Sequence, residues 1–339
     1  MTETTHQYLV RDCLEALREL PDKSVDLVFT SPPYGSQRTY NIGFKLKGQD
    51  WVDWSAERYR ECVRVCRGLV AWVVEGKTRN FQWDATPALL MADLHRSGIK
   101  LRNPPIMHRV GIAGSGGPDW LRNDKEFIVC ASHGKLPWSA NTVMGHPPKW
   151  APGGAMSHRV SGGTRVNQWG HPIDSGATQM LEGGVVRSGG KRPSHKQMPA
   201  MSEIIGRDGP EPKVEAYLRG DMPPGSKLHT KSNGHSKRVQ CYTPPVLANP
   251  GNVIHTVVGG GVMGHKLAHE NEAPFAESIA EFFIRSFCPP GGTTLDPFAG
   301  SGTTGCVSKK HGRNSISIDI RDSQEAIWQQ RIQDPRYEP

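Results

Sequence analysis

Thr293-Thr294-Leu295-Asp296-Pro297-Phe298-Ala299-Gly300-Ser301-Gly302-Thr303-Thr304 is the stretch on which the fold of this chain turns. Its first three residues read as a strand. A helix is expected to follow as far as Lys310, with Gly312 placed to end it. Between them, Gly300 and Gly302 let the backbone approach a ligand closely, and the helix start offers free N–H groups. Ser315 to Ile318 reads as the next strand and ends in Asp319, seventeen residues past Gly302. Strand, glycine turn, helix, strand and terminal acid form the pattern in which a carboxylate grips the two hydroxyls of a ribose. A nucleoside-bearing cofactor is implied. No Gly-Lys-Ser/Thr follows, so this is not a nucleotide triphosphatase loop.

Outward from this stretch the pattern repeats. Phe275, Ile279, Phe282, Phe283 and Phe287 share one helical face, and a last helix is expected over Ser323–Arg331. In the N-terminal part, Asp12–Leu20 has helical periodicity and Pro21 stops it. Val25–Phe29 reads as a strand, Ser55–Arg67 as an amphipathic helix, Leu69–Val74 as a buried strand and Asp84–Arg96 as a helix. Ile106–Ile112 and Glu126–Ala131 look like a strand pair across a glycine-rich link. Strands alternating with helices predict an α/β fold with a mostly parallel sheet.

A second chemical motif, Ser31-Pro32-Pro33-Tyr34, stands directly after the strand that begins at Val25. Ligands in open α/β sheets sit beyond the carboxyl ends of strands. Two prolines hold the backbone extended and remove two N–H groups. The carbonyls of Ser31 and Pro32 can then project as acceptors, the Ser31 hydroxyl adds another, and Tyr34 offers a flat face. Such a site suits a planar group bearing an amino function. A proline turn ending a strand beside a core tyrosine is the plainer alternative.

The chain has 339 residues, enough for two domains or for one large domain with an insertion. The seven cysteines are scattered and form no Cys-x-x-Cys pair, which argues against a disulfide scaffold and a common zinc site, so no metal is expected. No apolar run approaches a membrane span, and the polar N-terminus lacks a signal-peptide pattern, so a cytoplasmic protein is expected. The net charge of +8 is unevenly placed: Lys135 to His255 holds 15 Lys+Arg against 7 Asp+Glu, and the rest of the chain is neutral. A concentrated basic surface is the footprint of a polyanion binder. Residues 135–264 also hold 21 of the 38 glycines and 14 of the 27 prolines. Their periodicity is poor, so an irregular module is expected there, or else a disordered linker.

The two motifs together resemble the S-adenosylmethionine-dependent DNA amino-methyltransferases. In that family Ser-Pro-Pro-Tyr is typical of cytosine-N4 enzymes and Asp-Pro-Pro-Tyr of adenine enzymes. The order here, catalytic half, variable segment, cofactor motif, resembles the β class. The resemblance implies a Rossmann-like methyltransferase fold with circularly permuted motif order. Residues 1–134 would form the catalytic half, 135–264 a target-recognition module and 265–339 the cofactor half. It implies S-adenosylmethionine as cofactor, held by Asp12 and Cys13, Pro274 and Phe275, Asp296 through Thr303 (Pro297, Phe298, Ala299, Gly300, Ser301, Gly302), Asp319 and Ile320. Asp12 has a plainer reading as a helix N-cap, and His269 reads as a surface residue. Ser31, Pro32, Pro33 and Tyr34 would be catalytic, with Lys125–Val129 resembling the strand near the base pocket.

The partner implied is double-stranded DNA, contacted through Lys191, Arg192, Lys196, Lys227, Lys231, Lys237 and Arg238. A cognate restriction endonuclease and a homodimer are further expectations, as is a prokaryotic or phage source. Carbon-5 cytosine methylation is excluded by the lack of a Pro-Cys nucleophile motif. Adenine N6 is the nearest alternative substrate; RNA and protein glutamine are more distant ones, and loss of catalysis with DNA binding kept is another.

Overall fold

Apolar runs such as Val25–Thr30 and Cys66–Val74 have no face to leave to water, and both are buried almost throughout. The structure, a computed structural model, describes residues 4–35, 43–111, 119–146, 212–222, 226–232, 237–242, 247–258 and 264–339. The N-terminal elements are β1 (His6–Val10), α1 (Cys13–Glu19), β2 (Val25–Thr30), α2 (Gly48–Val65) and β3 (Cys66–Val74). There follow β4 (Thr78–Arg79), β5 (Gln82–Trp83), α3 (Thr86–Arg96), β6 (Ile106–Val110) and β7 (Lys125–Ala131). Next come α4 (Pro212–Leu218), β8 (Lys227–Ser232), β9 (Lys237–Tyr242) and β10 (Val253–Val257). The chain closes with α5 (Glu277–Phe287), β11 (Thr293–Asp296), α6 (Thr303–Lys310), β12 (Asn314–Asp319) and α7 (Asp322–Ile332).

Residues 1–144 and 249–339 form one compact unit. Its sheet has eight strands in the order β1-β12-β11-β2-β3-β7-β6-β10. All neighbours run parallel except at β7, which opposes both β3 and β6. β11 lies beside β2, with Leu295 opposite Val28. From β2 the chain passes through α2 to β3 on one side. From β11 it passes through α6 to β12 on the other. Between β2 and β11 the connections diverge, which opens a crevice beyond the strand ends.

Helices cover both faces of this sheet. Leu17 of α1, Tyr59 of α2 and Leu90 and Leu94 of α3 pack with Val28, Val70 and Trp72. On the other face, Ile279, Phe283 and Ile284 of α5 pack with Leu27, Phe29 and Ala71. Phe29 and Phe283 stack with ring centroids 4.9 Å apart. At the opposite end of the strands, Arg67 donates to both carboxylate oxygens of buried Asp26 at 2.6 and 2.8 Å, and the Thr293 amide donates at 2.9 Å. That one carboxylate ties β2, β3 and β11 together.

Residues 145–248 form the second unit. Among its described residues, β8 and β9 make an antiparallel hairpin and Val214 of α4 packs with Val239. The expected module boundary of 135–264 therefore differs: β10 pairs in parallel with β6 at the sheet edge of the first unit. The sequence reading has no strand at β10 or β1 and starts α2 at Ser55 instead of Gly48. These segments are short, sit at sheet edges or open on a glycine, and edge strands carry a weak apolar signal. Residues 147–211, with Lys191, Arg192 and Lys196, lie outside the described residues. Among the described residues no helix is long and apolar enough to cross a membrane.

Candidate functional site

The crevice at the ends of β2 and β11 is a cavity of about 630 Å³. Both sequence motifs reach its wall. Thr30, the last residue of β2, donates through Oγ1 to Asp296 Oδ1 at 2.5 Å. Asp296 also accepts from Thr304 Oγ1 at 2.7 Å and from the Phe298 amide at 3.1 Å. Its side chain is buried between the strands and does not line the cavity. It acts as a staple between the two motifs. Burial pushes its carboxyl up from 3.8 to about 6, against the pull of the Thr30, Thr304 and Phe298 donors.

On the β11 side, Gly300 has φ +49°, and a Cβ there would lie 2.4 Å from Asn271 Nδ2. Gly302 has φ +78° and caps α6; a Cβ would lie 2.1 Å from Trp328 Cδ1. Only glycine fits at Gly302, and at Gly300 any other side chain would be strained and would displace the Asn271 amide. Pro297, Phe298, Ala299, Gly300 and Thr303 line the cavity. Ser301 and Gly302 do not: Ser301 faces inward, where Arg331 Nη1 donates to its carbonyl at 2.7 Å and its hydroxyl at 2.9 Å. Pro274 and Phe275 are on the wall, and Phe275 meets Phe29 edge-on at 5.6 Å. His269, in a short 3-10 turn, is not on the wall.

Asp319, at the end of β12, lines the cavity beside Ile320, which is 55% exposed. Its carboxylate accepts from the Gly300 amide at 2.9 Å and from the Arg321 amide at 3.0 Å. The Arg321 guanidinium adds contacts at 2.9 and 3.2 Å, and reaches Glu272 at 2.7 Å. Asp12 is on the wall with Cys13 and is also the N-cap of α1, accepting from the Leu14 and Glu15 amides at 2.8 and 3.2 Å. The capping and the lining descriptions both hold for it. Arg58 Nη2 lies 3.7 Å from its other oxygen, with the guanidinium 4.3 Å from the Trp54 ring centroid.

On the β2 side, Ser31, Pro32, Pro33 and Tyr34 all line the cavity. Trp51 Nε1, on α2, donates to the Pro33 carbonyl at 2.7 Å and pins the turn. Ser31 Oγ donates to Tyr34 Oη at 3.2 Å, and Tyr34 Oη donates to Glu126 Oε2 at 2.6 Å. Arg109 Nη1 lies 3.3 Å from the other Glu126 oxygen. Buried Glu75, directly after β3, accepts from the Gly76 amide at 3.0 Å and from Trp83 Nε1 at 2.9 Å. Glu75, Arg109, Trp54 and Arg321 are wall residues that sequence reasoning missed. Glu75, Arg109 and Arg321 share one signal, a charged residue at or just past a strand end, whereas Trp54 lies inside α2 and carries none.

The site therefore offers hydroxyl and carbonyl acceptors and an anchored tyrosine on one side. On the other it offers a carboxylate, an apolar shelf and a glycine cradle. The basic candidates Lys227, Lys231, Lys237 and Arg238 fall on the β8–β9 hairpin of the second unit, with Lys231 in register with Arg238. Among the described residues no group of three or more His, Cys, Asp or Glu is arranged to hold a metal ion.

A family profile described as DNA methylase matches residues 25–330. The Type II methyltransferase M.SfiI of Streptomyces fimbriatus is 24% identical over 92% of this chain and 87% of its own length. The Type II methyltransferase M.PvuII of Proteus hauseri is 24% identical over 94% of this chain and 81% of its own. Among solved structures, the cytosine-N4-specific PvuII DNA methyltransferase superposes with a TM-score of 0.58 at 15% identity. That match covers 98% of this chain and 88% of that one, and it shows a shared fold.

Proposed function

The chain belongs to the DNA methylase family, and on that premise we propose that its cavity methylates the N4 amino group of a cytosine flipped out of duplex DNA. The observation that carries this reading is the meeting of Ser31-Pro32-Pro33-Tyr34 with Phe298, Gly300 and Asp319 around one cavity, stapled by the Thr30–Asp296 hydrogen bond.

The methyl donor is S-adenosylmethionine. The residues fit it: Asp319 is a ribose-type acceptor, Ile320 and Phe298 supply apolar surface, and a Cβ would fill the cradle at Gly300. The donors from Gly300 and Arg321 already occupy the Asp319 carboxylate, which has about four lone-pair sites. A ribose diol would turn the Arg321 guanidinium aside, and Glu272 remains as its partner. When bound, the cofactor supplies an electrophilic sulfonium methyl.

The chain's own residues prepare the nucleophile. Tyr34 stacks on the flipped base, its ring fixed by the hydrogen bond to Glu126. Ser31 Oγ and the Pro32 carbonyl accept the amino hydrogens, which keeps the nitrogen lone pair from delocalising into the ring. Orientation of that nitrogen toward the opposite wall supplies much of the rate. The path Ser31 Oγ, Tyr34 Oη, Glu126 carboxylate leads a departing amino proton away. The donor is already activated, so no cysteine nucleophile is needed.

Labelled S-adenosylmethionine with unmethylated DNA, followed by nucleoside digestion and mass spectrometry, tests this. N4-methylcytosine is the expected product. N6-methyladenine, the other amino group this family treats, would keep the mechanism and change the base. Cofactor bound with no label in DNA would overturn the reading.

A further inference from the structure

β4 and β5 form a hairpin whose two-residue turn is Asn80-Phe81, with φ +48° and +63°. Turns of this left-handed kind favour Asn followed by Gly, since a Cβ is strained there. Here the second position is phenylalanine, and its side chain is 78% exposed. No burial offsets that strain. Strain held at an exposed aromatic is a cost that folding alone does not explain.

The rest of the hairpin is built rigidly onto the cavity rim. Gly76, Lys77 and Thr78 line the cavity. A Cβ on Gly76 would lie 1.8 Å from the Asp84 carbonyl oxygen, so the two arms meet at contact distance. The Asp84 amide donates to the Lys77 carbonyl at 2.9 Å, and Trp83 Nε1 donates to buried Glu75 at 2.9 Å. Trp83 also lies 6.3 Å from Phe127 of β7, ring to ring. The base of the arm is pinned to β3 and β7. The tip carries an aromatic ring, and the arm leading to it carries two cationic residues, Arg79 in β4 and Lys77 just before it.

We propose that Phe81 is a wedge that enters the duplex base stack where the target base leaves it, an assignment that rests on the DNA methylation reading above. A base that flips leaves a gap, and unstacking costs a few kcal/mol unless something fills it. Apolar side chains inserted between base steps are a known means of distorting a duplex. Phe81 has a flat face of suitable size, a rigid support beside the pocket that receives the base, and nearby cations for the adjoining phosphates. The strained turn holds the ring out from the protein surface, where a relaxed glycine would present nothing.

The experiment begins by sequencing plasmid DNA from cells that make the wild-type chain, which maps the methylated site. Two short duplexes are then compared, one fully paired and one abasic opposite the target base. The Phe81→Ala variant should lose roughly tenfold or more in turnover on the paired duplex and return to within about twofold of wild type on the abasic one. Phe81→Trp should retain activity on both. Phe81→Gly should melt at a higher temperature than wild type yet fail on paired DNA, which separates the wedge from a folding role. Unimpaired turnover of Phe81→Ala on paired DNA, or equal losses on both duplexes, would overturn the wedge alone. A change of oligomeric state in that variant with turnover unchanged would reassign the tip to a contact between copies. Plasmid DNA without methyl marks would overturn the function and the wedge together.

Discussion

At Tyr34 the ring and the hydroxyl serve different ends. The ring lines the cavity and the hydroxyl donates to Glu126. Tyr34→Ala should cost the stacking of one base, roughly 1–3 kcal/mol or about 5- to 150-fold in kcat/KM, with cofactor affinity unchanged. Tyr34→Phe keeps the ring but breaks the path from Ser31 to Glu126, so it should keep KM for DNA near wild type and lower kcat. Steady-state kinetics beside a cofactor titration would check both, and an Ala variant as active as wild type would remove Tyr34 from the base pocket. Asp296 couples folding to pH. Burial raises its folded carboxyl to about 6 from 3.8, so protonation favours the folded state. The stability this group contributes is fully present below pH 3.8 and is lost as pH rises through about 6. Asp296→Asn does not titrate, so its stability relative to wild type should rise by up to about 3 kcal/mol between roughly pH 4 and 7. Urea unfolding at several pH values measures that gap. A gap that stays constant with pH would show that Asp296 is not held at a raised value.

At the scale of elements, the glycine turn and α6 illustrate how backbone and packing share one requirement. Gly302 is left-handed, and its Cα faces Trp328 of α7 too closely for a methyl group. Gly302→Ala should therefore destabilise the chain by more than about 2 kcal/mol, the sum of overpacking and strain, seen as a fall in melting temperature. A melting temperature equal to wild type would mean that α7 is free to move away. The glycines of this turn were legible in the sequence, but their partners Asn271 and Trp328 were not, because each lies far along the chain and meets the turn only through tertiary packing. Similarly, α2 carries Trp51 to the Pro33 carbonyl from eighteen residues away. The proline turn was readable; its brace was not.

For the whole molecule, charge is the unevenly divided property. The basic excess lies between Lys135 and His255, and the described part of it includes the hairpin bearing Lys227, Lys231, Lys237 and Arg238. Replacing those four residues by Gln should lower the slope of log affinity for DNA against log salt by ~0.9 for every phosphate the hairpin no longer neutralises. Methyl transfer at saturating DNA should survive, since all four belong to the second unit and the described lining of the cavity comes from the first. Binding measured from low to moderate salt decides it, and an unchanged slope would take the hairpin off the DNA.

By itself the sequence determined the α/β class, the mostly parallel sheet and the two motifs at strand ends. These depend on local periodicity, on proline and glycine geometry and on residue order, which a chain carries without folding. The tertiary structure alone decided which motif atoms face the cavity. Asp296 and Ser301 belong to the glycine motif yet turn inward, while Glu126, Glu75, Arg109 and Arg321 converge on the wall from separate strands. It also decided that β1 and β10 flank the sheet, for an edge strand is selected by the neighbour it pairs with more than by its own residues. Side-chain direction at a turn and pairing between distant strands are set by packing, and packing exists only once the whole sheet is assembled.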